Sequence, residues 1–67
     1  MKFTTDDIMM ILIHNKGTKK EFVDTMNEFK EQAADDKDFL YMVHSVLDKV
    51  SQLTDAEYEY MIKSLVP

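Results

Sequence analysis

Sixty-seven residues allow one domain, 1–67, with a core at the small end of what folds alone. There is no cysteine, so neither a disulfide nor a Cys-ligated zinc supports it, and tight helix packing or self-association must. The net charge is −5, from 13 acids against 8 bases that are all lysine; without arginine's planar fork this balance argues against a nucleic-acid binder and for a protein partner with a basic surface.

The chain opens on Met1-Lys2, and two aspartates, Asp6 and Asp7, precede the apolar run Ile8–Ile13. No small-residue cleavage site follows, which excludes a signal peptide. The run is also far shorter than the roughly 20 residues that cross a bilayer. The expected protein is cytoplasmic, with no membrane contact. Hydrophobic residues make up 45% of the chain, too many for a disordered segment.

Thr4 is placed to cap a first helix over roughly 5–15, with Phe3 and Ile8 positioned as a hydrophobic staple. The run Ile8-Met9-Met10-Ile11-Leu12-Ile13 is apolar on every face of that helix. Six apolar residues also suit a strand, but the cap favours helix and no second strand candidate exists to pair with it. Such a helix must be central or must bury part of itself against another chain. Ile8, Ile11 and Leu12 are expected inside, and Met9, Met10 or Ile13 against a second copy or another partner.

Gly17 supplies a stop where positive φ is expected. Thr18 and Glu21 then form a capping box for a second helix over roughly 19–34. Its apolar positions are Phe22, Met26, Phe29 and Ala33. Opposite them stand Glu21, Asp24, Glu28, Glu31 and Asp35, at i, i+3, i+7, i+10 and i+14, which is one narrow helix face.

Asp35 or Asp36 caps a third helix over roughly 37–52. Its stripe is Phe39, Val43, Val46, Val50 and Leu53, widened by Leu40 and Leu47. Thr54 and Glu57 make another capping box, flanked by Leu53 and Tyr58 as a staple, for a fourth helix over roughly 55–65. Its apolar positions are Tyr58, Met61, Ile62 and Leu65. Pro67 follows this helix and leaves it undisturbed. Asp38 near a helix start, and Lys49 and Lys63 near helix ends, suit the helix dipoles. The architecture is therefore all-α: a compact bundle of about four short helices.

The acidic stripe is the sharpest surface feature. An amphipathic helix needs a polar outside, so a plain solvated face accounts for much of it. Ordinary solvent faces, however, interleave both signs and gain about 0.2–0.5 kcal/mol per i,i+4 ion pair. Here only Lys20 reaches an acid, Asp24, while Glu28, Glu31 and Asp35 face one another. That pattern points to recognition of a basic protein surface, and at its extreme to mimicry of a phosphate row.

His14, Lys16, Lys19 and Lys20 cluster around Gly17 and, with Leu12, Ile13, Val23 and Met26, outline a helix-turn-helix. The supposed reading helix then carries the acids, which phosphates repel. His44 and Asp48 at i, i+4, with Tyr41 one turn before, have no second histidine nearby, so no metal, cofactor or catalytic site is expected. The six methionines fill a small core or serve an adaptable surface.

These features suggest a small acidic interaction protein, not an enzyme. It would inhibit or regulate a protein partner through Glu21, Asp24, Glu28, Glu31 and Asp35, with Met9, Met10 and Ile13 as an apolar or dimer contact. Its size and charge are those of phage and mobile-element proteins that bind host machinery. Two alternatives remain: a small helix-turn-helix transcription regulator, and an assembly factor acting as a homo-oligomer.

Overall fold

The computed structural model describes residues 2–65; Pro67 lies outside them. Four helices follow in order: α1 (Thr5–His14), α2 (Lys19–Gln32), α3 (Lys37–Ser51) and α4 (Asp55–Leu65). No strand occurs among the described residues. The all-α bundle expected from the caps is what forms.

Each start is fixed by a side chain that accepts an otherwise orphaned amide. The Asp7 amide donates to Thr4 Oγ1 at 3.1 Å, and the Thr4 amide donates back to Asp7 Oδ2 at 3.0 Å. The Thr54–Glu57 box is equally reciprocal, at 3.1 and 2.8 Å. Asp36, not Asp35, caps α3 by accepting from the Phe39 amide at 3.0 Å. The Thr18 cap differs from a reciprocal box. Its Oγ1 accepts from the Glu21 amide, but the Glu21 carboxylate takes the Thr18 hydroxyl at 3.1 Å.

Between α1 and α2 the chain turns at Asn15 to Thr18. Gly17 has φ +118°, a region that a side chain disfavours. The Asn15 Oδ1 accepts the Gly17 amide at 3.2 Å and the Tyr58 hydroxyl at 2.8 Å. One amide oxygen therefore closes the turn and ties it to α4.

α2 and α3 pack most extensively on each other; α1 lies against both, and α4 lies against α2. The core is Met10 and Ile11 from α1, Phe22 and Met26 from α2, Val43, Val46 and Val50 from α3, and Tyr58 from α4. Phe22 and Tyr58 stack at a tilt, 5.9 Å apart. His14 stands edge-on to Phe29 at 4.9 Å, and Phe29 meets Phe39 at 5.7 Å. The radius of gyration is 11.4 Å, close to the roughly 11 Å of a compact domain of this length.

The first helix departs from expectation in which of its residues face inward. Ile11 is fully buried and Ile8 half-buried, but Met10 turns inward at 6% exposure while Leu12 turns outward at 44%. The reason is Asp7, which shares a face with Met10 and Ile11 and is only 3% exposed. Its inward position rotates the apolar run so that Met10 is buried and Leu12 is not.

Candidate functional site

The outward face of α2 is built by the inward one. Phe22, Thr25 and Met26 are buried, and the Thr25 hydroxyl satisfies itself on the Glu21 carbonyl at 2.9 Å. With that stripe fixed, Glu21, Asp24, Glu28 and Glu31 must face water, and all four are exposed. Asp35 is exposed too but does not continue the row. α2 ends at Gln32, and residues 33–35 form a turn that leaves the helix cylinder.

Two of the four acids are engaged locally. Glu21 takes the Thr18 hydroxyl, and Asp24 pairs with Lys20 at 2.9 Å. The Asp24 carboxylate raises the Lys20 pKa through this hydrogen bond and its charge. Glu28 and Glu31 have no cationic partner within ion-pair distance among the described residues. The negative field is therefore strongest along the C-terminal half of α2.

The groups of the basic turn differ in their surroundings, and Lys16 is exposed. His14 is half-buried against Phe29, Lys20 is held by Asp24, and Lys19 is half-buried. His44 and Asp48 are both exposed on α3.

The other outward surface is the side of α1 away from Asp7. Met9 is 53% exposed and Ile13 66%. Met10, grouped with them on sequence grounds, belongs to the core.

Sequence pattern missed one cluster. The Asp7 carboxylate forms an ion pair with the Lys49 ammonium, accepts the Ser45 hydroxyl at 3.3 Å and accepts the Thr4 amide. Burial alone would raise the Asp7 pKa, but the Lys49 hydrogen bond, the Thr4 amide and hydroxyl, and the Lys49 charge together hold it below its ordinary value. The cluster lies beside a cleft of about 300 Å³ that also includes Asp6, Tyr41 and Met42. Two signals for it were present. Thr4-x-x-Asp7 is a capping-box spacing, and Ser45 and Lys49 at i, i+4 place polar groups one above the other on α3.

No helix of the described residues is long and apolar enough to cross a membrane. No curated protein and no solved structure matches the chain. A family signature does match, over residues 3–64, which takes in all four caps and both outward faces. The chain belongs to the family described as putative transposon-transfer assisting protein. It is thus a mobile-element-associated protein.

Proposed function

We propose that the protein is a non-enzymatic accessory factor in transfer of a mobile element, docking through the outward face of α2 on a basic protein. The observation that carries this reading is that face itself: four exposed acids, with no cation within ion-pair distance of Glu28 and Glu31 among the described residues. Neighbouring like charges cost a few tenths of a kcal/mol per i,i+3 or i,i+4 pair. A basic partner would relieve that repulsion on binding and steer encounter at low salt. Proteins that handle DNA carry such surfaces, because phosphates demand them, and moving an element requires DNA-handling proteins. The family's name agrees with an assisting role. Binding of this kind would inhibit or regulate the partner by occupying its basic surface.

The test combines capture with function. Asp24→Gln, Glu28→Gln and Glu31→Gln are introduced together, and folding is checked by circular dichroism. In lysate from cells carrying the element, the native chain should capture a basic protein at low salt and release it as salt rises. The triple variant should capture little of it, and transfer frequency of the element should fall. Undiminished capture and transfer in the triple variant would remove this reading. A gel shift with random duplex and with DNA upstream of the gene should find no selective binding. A selective shift abolished by Lys19→Ala and Lys20→Ala would put a transcription regulator in its place.

A further inference from the structure

A groove of about 520 Å³ opens between the segment that leads into α1 and the first two turns of α4. Its lining is Phe3, Leu53, Ala56, Glu57, Tyr60 and Met61. Phe3, Leu53 and Met61 are half-buried and pack against the core, so the fold sets the apolar floor. Ala56, Glu57 and Tyr60 are exposed and form the wall. Within α4 they share one side with Met61, at i, i+1, i+4 and i+5.

One charge stands in this groove. It is the Glu57 carboxylate, fixed in place because its Oε1 accepts the Thr54 amide at 2.8 Å. The Thr54 amide and hydroxyl hold its pKa below the ordinary value. No cation lies within ion-pair distance of it among the described residues.

An apolar floor beside one fixed negative charge selects by sign as well as by polarity. It repels phosphates, and with them nucleic acid and anionic lipid. A purely charged ligand would make no use of Phe3, Leu53 and Met61. A second copy is disfavoured as well, because each chain carries a net charge of −5. We infer that this groove docks a basic segment of a partner protein, seating an apolar side chain on Phe3, Leu53 and Met61 and a neighbouring lysine or arginine on Glu57. Tyr60, on the same wall and 76% exposed, offers an aromatic surface to that cation or its stem. Glu57 is already oriented by Thr54, so pairing costs less ordering than it would for a free side chain. The inference stands apart from what the α2 face binds, and its test neutralises the middle of that face first.

An array of random-sequence dodecapeptides is probed with the full chain carrying Asp24→Gln, Glu28→Gln and Glu31→Gln. Bound peptides should be enriched in an apolar residue a few positions from a lysine or arginine. The tightest of them, added to the same chain in solution, should shift the methyl resonances of Leu53, Ala56 and Met61. Ala56→Arg puts bulk and a positive charge into the groove from an exposed position, and should weaken that peptide at least about tenfold. Glu57→Gln removes only the charge, since glutamine still accepts the Thr54 amide. It should weaken the peptide about three- to fivefold and reduce its salt dependence. Circular dichroism should show the helical content of both variants intact. An array without that enrichment would overturn the inference. So would a peptide that binds the Ala56→Arg chain as well as its parent, or one indifferent to both Glu57→Gln and salt. Groove methyls that shift with the chain's own concentration, no peptide being present, would give the groove to a second copy and overturn it too.

Discussion

α1 and α2 are neighbours joined by a short turn, and they present opposite chemistry to water. α2 buries Phe22 and Met26 and exposes Asp24, Glu28 and Glu31. α1 buries an acid, Asp7, and exposes Met9, Leu12 and Ile13. In α2 the hydrophobic effect alone selects the inward face, because only one face is apolar. In α1 nearly every face is apolar, so burial of one methyl group or another differs little. A polar network then decides. The Asp7 carboxylate meets Lys49, Ser45 and Thr4, and turning it outward would leave Lys49 without its partner. A buried ion pair adds little net stability, since desolvation offsets attraction, but it distinguishes one helix rotation from another.

The largest expected effect tests that distinction. Lys49→Ala leaves a carboxylate buried without its cation, a loss of about 3–5 kcal/mol. For a chain this small that is about half of the whole stability or more, at roughly 0.1 kcal/mol per residue. Urea melts should therefore find the variant's midpoint lowered to about half that of the native chain or less. Replacing both partners, Asp7→Leu with Lys49→Met, should recover much of the loss, minus about 1 kcal/mol for the Thr4 amide left without its carboxylate acceptor. In that double variant α1 no longer has a reason to prefer Met10 over Leu12. Its methyl resonances should report more than one rotation. A single set with Met10 still buried would mean that packing, not the ion pair, orients α1.

The same pair responds to acid. The folded Asp7 pKa lies below the ordinary 3.8. Its contribution is complete above that ordinary value and drains away as pH falls from there through the lower folded one. The acid melt should shift in the Asp7→Leu/Lys49→Met double variant, which has nothing there to protonate.

Why the two helices differed in legibility follows from this. Thr4, Thr18, Asp36 and Thr54 announced four helix starts because a cap is a local interaction between residues close in the chain. The α2 acids, and Val43, Val46 and Val50 of α3, were legible because one periodic pattern had one solution. The facing of α1 depended on Lys49 and Ser45, some forty residues away, and no local pattern carries that pairing. Asp35 was misplaced for a different reason. The i+14 spacing holds only while the helix continues, and α2 ends at Gln32.

Tyr58 gives the next effect down, with a response to pH opposite to that of Asp7. Burial pushes its hydroxyl up to about 12 from 10.0. A raised folded value means that stability is intact below the unfolded pKa and is lost as pH rises toward the folded one. Between pH 10 and 12 the fold should lose about 2–3 kcal/mol. Tyr58→Phe should lose that alkaline sensitivity. At neutral pH it should cost about 1 kcal/mol, because Asn15 Oδ1 keeps the Gly17 amide and loses one of two donors. An alkaline transition unchanged in Tyr58→Phe would assign it to lysine deprotonation instead.

The smallest effect belongs to the two outward faces, and it is small for opposite reasons. In the Asp24→Gln, Glu28→Gln, Glu31→Gln variant, loss of the Lys20–Asp24 pair costs about 0.2–0.5 kcal/mol. Removing repulsion among the remaining acids returns a similar amount, and glutamine forms helices well. The melting temperature should move by no more than a few degrees in either direction. Ile13→Glu on α1 should be equally mild, because Ile13 is 66% exposed. Both faces can then change without harm to the fold, so any loss of capture belongs to the contact. A destabilisation beyond about 1 kcal/mol at either face would make it part of the fold's support. For α2 that would mean the acids hold the helix in place; for α1 it would mean the apolar row is packed against something within the chain.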